Sequence, residues 1–206
     1  MLKFTVFLPP DVPCGVIYLL NDSSDVPSIS RTAVVSVEVP DWNRDLSPWK
    51  AMRVFKKGDD FAGGAAEYLR ELTETVTEAE KTLGFSPEFR GIAGYSLAGL
   101  FAVWALYHTD LFRRAASMSG SLWFDGFTEF MAEHSPVIIP EKLFLSVGER
   151  EKQTKNVRMA QVEACTLRTA DIFRDYGTEV RFEQNPGGHF EGVPERIAGG
   201  LAWIAL

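Results

Sequence analysis

The chain has 206 residues, of which 46% are hydrophobic and 24% charged, and its formal net charge is −7 at pH 7. That length suffices for one domain with its own core, and the composition excludes both an intrinsically disordered chain and a membrane-resident one. The negative balance, with no lysine or arginine stripe to override it, repels phosphate backbones and excludes nucleic acid as an expected partner.

The N-terminal stretch "MLKFTVFLPPDVPC" is apolar at first, but Pro9, Pro10 and Asp11 break it. It offers no small-residue cleavage site and does not read as a secretory signal. The longest apolar run, 97–107, contains Gly99 and falls short of the ~18 residues that mark a membrane span. The expectation is a cytoplasmic protein with no membrane partner. Cys14 and Cys165 are the two cysteines. They lie far apart and lack metal or redox spacing, so both read as small buried apolar groups.

In chain order, short apolar and β-branched runs at 16–20, 33–39, 91–93, 115–118, 142–147 and 180–183 read as buried strands. Segments with helical spacing fall between and after them, at 62–83, 97–108, 156–176 and 194–206. Gly63 and Gly64 are placed to start the first of these helices or to allow close packing. Gly84 and Pro87 mark its end, and Gly177 caps the third. Residues 124–140 are the least regular and leave room for a small excursion after a strand, with minimal or no lid. Neither an internal repeat nor a Pro/Gly/Ser linker is present, so residues 1–206 read as a single domain. Alternating strand and helix predicts an α/β fold, a mostly parallel central sheet with helices on both faces.

The run "GIAGYSLAGL" (91–100) sets Ser96 between a strand and an apolar helix. A serine at such a sharp turn, with small residues two positions either side, is the pattern of a nucleophile elbow. Here those neighbours are Gly94 and Ala98, where the usual pattern ends in glycine. Gly-x-Ser-x-small also begins ordinary helices, so the pentapeptide alone leaves a packing turn open. What separates the two is whether an acid and a histidine follow in that order, each in a loop after a strand. "KLFLSVGEREKQTKN" supplies Glu149 and Glu151, and "VRFEQNPGGHFEG" supplies His189 in a glycine-rich turn. In a parallel sheet these loops share the carboxyl edge, where ligands bind.

A serine hydroxyl is a weak nucleophile until a base takes its proton, which is the task open to His189. The tetrahedral oxyanion needs fixed donors, and the elbow itself dictates the Leu97 backbone N–H as one. The second is expected from the loop after 16–20, which reads "NDSSDVPS" and lacks a glycine-rich run, leaving the backbone of Asn21 or Asp22. His108 at a helix end and His134 in a polar loop read as structural. Neither an HExxH set nor a GK[ST] phosphate loop occurs, so no metal or cofactor is implied.

Taken together, "GYSLAGLFAVWAL", "SMSGSLWF", "LSVGEREKQTKN" and "PGGHFEGVPERI" resemble the α/β-hydrolase family that includes esterase D-like and siderophore (enterochelin-type) esterases and feruloyl esterase domains. The resemblance runs from about residue 16 to the C-terminus. It implies a serine hydrolase acting on a small-molecule ester or thioester, with Ser96 as nucleophile and His189 as base. Members carry the acid three residues after the strand-end glycine, which matches Glu151 over Glu149. Trp123, in the loop beside the site, and Trp42, in "DWNRDLSPW", match positions that line the cleft. Ala98 in the elbow and the absent glycine-rich oxyanion loop depart from the family pattern. The same acyl-enzyme would serve an acyltransferase, and a hydrolase fold can persist as a binding module without chemistry. Oligomeric state is left open.

Overall fold

Seven strands join into one sheet in the computed structural model, which describes residues 1–21 and 26–206. In chain order the strands are β1 (Phe4–Phe7), β2 (Gly15–Leu20), β3 (Thr32–Val37), β4 (Lys50–Ala51), β5 (Phe61–Ala62), β6 (Phe89–Tyr95), β7 (Arg114–Met118), β8 (Lys142–Gly148) and β9 (Glu179–Asn185). The sheet runs β1-β3-β2-β6-β7-β8-β9, while β4 and β5 form a separate antiparallel ribbon. All six expected strands are present and pair in parallel. The addition is β1, which lies antiparallel on β3 at the edge. Partial burial of β1 explains why its apolar run did not stand out as a core strand.

Every residue of β2 and β3 is buried. Alternate side chains of β2 therefore enter two cores: Val16, Tyr18 and Leu20 face one, Ile17 and Leu19 the other. The larger core is closed by α2 (Ala65–Leu83), α3 (Leu97–Ala105) and α5 (Val162–Asp175), the smaller by α6 (Val193–Ala205). Two short helices, α1 (Trp42–Asp45) and α4 (Phe127–Glu133), sit in connections, α4 within the irregular 124–140 stretch and beside α5.

Helix ends follow the glycines. Gly84 closes α2 at φ 73°, and Gly177 follows α5 at φ 87°, left-handed conformations that suit a residue without Cβ. α2 begins at Ala65, later than expected, because β5 takes residues 61–62 and Gly64 caps the helix. α5 begins at Val162 rather than near 156, since two 3₁₀ turns, Glu151–Gln153 and Met159–Gln161, precede it. Cys14 and Cys165 are free but only half-buried, a correction to their reading as core groups. Among the described residues no helix is long and apolar enough to cross a membrane.

This topology fixes where chemistry can sit. From β2 the chain passes to β3 on one side and then to β6 on the other, so the loops at the carboxyl ends part between β2 and β6. That crevice is the ligand-binding edge of an open α/β sheet.

Candidate active site

β6 ends at Tyr95 and α3 starts at Leu97, so the chain reverses at Ser96, with φ 58° and ψ −120°. Side chains other than glycine rarely take this conformation, and the surroundings hold it in place. A Cβ on Gly94 would lie 2.5 Å from Ala98 Cβ, and one on Gly99 would lie 2.7 Å from Ser117 Oγ and 3.0 Å from Gly120 Cα. Glycine is thus required where β6 meets α3 and again where α3 meets β7. The Ala98 methyl occupies the space left by Gly94, which is how this elbow tolerates alanine in a position usually held by glycine.

Backbone bonds continue the sheet past its strand ends. The Ser96 N–H donates to Met118 O at 3.0 Å, Ser119 N–H to Ser146 O at 2.9 Å, and Glu149 N–H to Asn185 O at 2.9 Å. Each loop at the carboxyl edge is thereby tied to the next strand.

Ser96, His189 and Glu151 come together at this edge. His189 Nε2 lies 3.0 Å from Ser96 Oγ, and His189 Nδ1 lies 2.7 Å from Glu151 Oε2. Glu149 is exposed and its carboxylate takes no part. The other Glu151 oxygen, Oε1, accepts from the Gly148 N–H at 2.7 Å, Ser119 Oγ at 2.8 Å and Arg196 Nη1 at 3.0 Å. Burial would raise the Glu151 carboxyl, but hydrogen bonds from His189, the Gly148 N–H and Ser119, with the charge of His189, outweigh it. The carboxyl therefore sits below its ordinary value and stays ionised.

Three contributors were not singled out from sequence: Tyr95, Ser119 and Arg196. The Tyr95 hydroxyl donates to His189 O at 2.6 Å and accepts from Arg196 Nη1 at 3.2 Å. Arg196 shares the buried face of α6 with Gly200, Leu201 and Ile204. An arginine at helical spacing with that apolar face was the available signal, because a buried cation requires a partner. His108 lies tilted against Trp104 and stacked on Phe130, and His134 stacks on Phe130, so neither lines the cleft over Ser96.

The first-turn N–H of Leu97 has no acceptor within α3 and lies at the cleft with Ser96. Asn21 does not match its expected role. Its backbone N–H donates to Val37 O at 3.2 Å, extending the β2–β3 ladder, and the residue borders a different depression beside α6. Asp22, the other candidate, lies outside the described residues.

The cleft over Ser96 is a small depression that opens to solvent. Trp123 lines it as expected, with Phe55, Phe61, Met159 and Val162 as further apolar wall. Trp42 does not. It opens α1, is half-buried and packs on the larger core, while its neighbour Asn43 faces the cleft. One wall is the 52–60 strap between β4 and β5. Asn156 Nδ2 holds Val54 O at 2.9 Å, Arg158 Nη1 holds Met52 O at 2.7 Å, and Asn43 Nδ2 holds Asp59 O at 3.0 Å.

The Esterase family model, described as "Putative esterase", matches residues 2–192. The chain belongs to that family. This esterase is 24% identical over 175 residues to YbbA of Bacillus subtilis (strain 168), an uncharacterized protein, with 74% of this chain and 70% of that one covered. Among solved structures it resembles an IroE-like serine hydrolase from Shewanella oneidensis, with a TM-score of 0.78 and 18% identity over 98% of this chain and 75% of that one. It also resembles the siderophore hydrolase EstA from Aspergillus nidulans, with a TM-score of 0.72 and 19% identity over 99% and 89%. At these identities the structural likeness establishes the α/β-hydrolase fold. Membership of the family makes the chain a carboxylic-ester hydrolase.

Proposed function

We propose that this esterase cleaves a small-molecule carboxylic ester or thioester through an acyl-Ser96 intermediate, with His189 as general base and acid and Glu151 as the group that orients it. As Ser96 Oγ attacks the carbonyl carbon, His189 Nε2 takes its proton, and the oxyanion that forms is stabilised by the Leu97 N–H. Collapse of the tetrahedral intermediate breaks the ester bond, and His189 returns the proton to the departing alcohol or thiol. Water then gives a proton to the same nitrogen as it attacks the acyl carbon; collapse of this second intermediate breaks the acyl–Oγ bond, His189 returns the proton to Ser96 Oγ, and the acid leaves. Glu151 fixes the tautomer with hydrogen on Nδ1 and stabilises the imidazolium.

The observation that supports this reading is the continuous relay of 3.0 Å from Ser96 Oγ to His189 Nε2 and 2.7 Å from Nδ1 to Glu151 Oε2. The open, apolar-walled cleft favours small or flexible acyl groups, so esters and thioesters graded by acyl length form the substrate panel. A siderophore ester belongs in it because EstA is named a siderophore hydrolase.

The test is labelling with a fluorophosphonate, with the adduct located by mass spectrometry, alongside ester turnover. Wild type is expected to label at Ser96, and Ser96→Ala and His189→Ala to lose turnover by about 10³-fold or more. Full turnover by folded Ser96→Ala overturns the proposal.

A further inference from the structure

We propose that Arg196 is a positioning residue for this reaction, a buried counter-charge to Glu151 and the tie that holds the histidine turn in register with Ser96. This rests on the relay proposed above. Among the described ion pairs, Arg196–Glu151 is the one with both side chains almost fully buried, at 2% and 4% exposed. A guanidinium in such a place is costly unless its donors are used; here Nη1 and Nη2 make five bonds, while Nε is buried without a partner among the described residues. Nη1 donates to Glu151 Oε1 at 3.0 Å, Ser119 Oγ at 2.7 Å and Tyr95 Oη at 3.2 Å, while Nη2 donates to Pro186 O and Gly188 O at 3.0 Å each.

The carbonyls of the turn are held one after another. Pro186 O and Gly188 O bind Arg196, Gly187 O accepts the Arg150 N–H at 3.1 Å, and His189 O accepts the Tyr95 hydroxyl at 2.6 Å. Arg196 binds two of these four and also supports the Tyr95 hydroxyl that binds a third. One side chain on α6 therefore sets both the carboxylate and the backbone that carries the imidazole. It is absent from the cleft lining, so it acts through Glu151 and His189 and does not touch substrate.

The charge has its own effect. Facing the His189–Glu151 pair are Tyr95 from β6, kept neutral because burial raises its hydroxyl, and Arg196 from α6. At the rim, Arg150 is engaged by Glu191, and Lys152 by Glu163 of α5. Arg196 is thus the buried positive charge that offsets Glu151. Removing it leaves the pair more negative, so the pair binds a proton more tightly and the imidazole becomes an active base at higher pH.

Two variants separate charge from geometry. Arg196→Met removes the charge at similar volume, and Arg196→Lys keeps the charge without the two-armed fork. Both are measured for kcat and KM across pH 5 to 9 with Ser96→Ala in parallel, and thermal unfolding confirms that each is folded. For Arg196→Met, kcat is expected to fall about tenfold or more with KM little changed. The acid limb of kcat/KM is expected to move up by about half a pH unit or more. For Arg196→Lys, kcat falls while the limb stays near that of wild type. An unmoved limb in folded Arg196→Met overturns the counter-charge, and wild-type kcat in Arg196→Lys overturns the tie. If Arg196→Met does not fold, the Lys variant alone decides the tie, and Arg196→Gln takes its place for the charge. An active Ser96→Ala overturns the relay itself, whereas an inactive Ser96→Ala with wild-type Arg196 profiles overturns only the role of Arg196.

Discussion

Ser96 is held at φ 58°, ψ −120°, on the side of backbone space that glycine enters freely and serine does not. Such strain costs on the order of 1–3 kcal/mol and is maintained by the packing of Gly94 on Ala98 and of Gly99 on β7. Ser96→Gly and Ser96→Ala both remove the nucleophile, but only glycine also relieves the strain. Chemical denaturation is therefore expected to rank Ser96→Gly about 1 kcal/mol more stable than Ser96→Ala, after allowing for the greater freedom of glycine when unfolded. Equal stabilities would show that the turn is unstrained. Ser96, His189 and the pair Glu149/Glu151 were legible in sequence because each follows a strand that ends at the same sheet edge, and the family resemblance pointed to Glu151 within that pair. Arg196 was not, because "PERI" reads equally as the polar start of a helix. Its helical spacing with Gly200, Leu201 and Ile204 is the one signal in the sequence, and the packing of α6 on the sheet shows that this residue faces inward.

At the scale of elements, the cleft wall depends on two loops distant in sequence. Asn156 and Arg158 hold the 52–60 strap through Val54 O and Met52 O, and Val54 and Phe55 form part of the wall over Ser96. Asn156→Ala combined with Arg158→Met should free the strap and raise KM for the longer acyl esters several-fold, with kcat changed less, since the relay is untouched. Steady-state kinetics on the graded panel check this, and an unchanged KM would remove the strap from substrate binding. The six parallel strands were legible as apolar runs, whereas β4 and β5 have two residues each and carry no period. The helix expected from 156 starts late because Asn156 Oδ1 accepts from the N–H groups of Arg158 and Met159, at 3.0 and 3.3 Å. That local turn competes with helix, as asparagine side chains do. Trp42 and Asn21 illustrate a different limit: sequence placed both near the edge, but helix phase turned one toward the core and the sheet ladder engaged the backbone of the other.

Over the whole molecule, the site and the stability of the fold are linked through Glu151. Its carboxyl lies below its ordinary value in the folded state, so the stability it adds is fully present above the unfolded-state value of about 4.3 and is lost as pH falls through the lower folded value. Glu151→Gln leaves Arg196 buried without its counter-charge, which at pH 7 is expected to cost about 3–5 kcal/mol of unfolding free energy. The difference from wild type should shrink as the pH drops below about 4, because only wild type has a carboxylate to protonate. Denaturant titrations at pH 7 and near pH 3.5 measure this, and a constant difference would mean that Glu151 does not titrate with folding. The bonds from Ser96 to Met118, Ser119 to Ser146 and Glu149 to Asn185 carry a broader consequence. They make Ser96, with Ser119 and Glu149, the outermost rung of the sheet. The turn that carries the nucleophile is thus continuous with the sheet, so on warming it is expected to come apart together with the body of the protein rather than ahead of it.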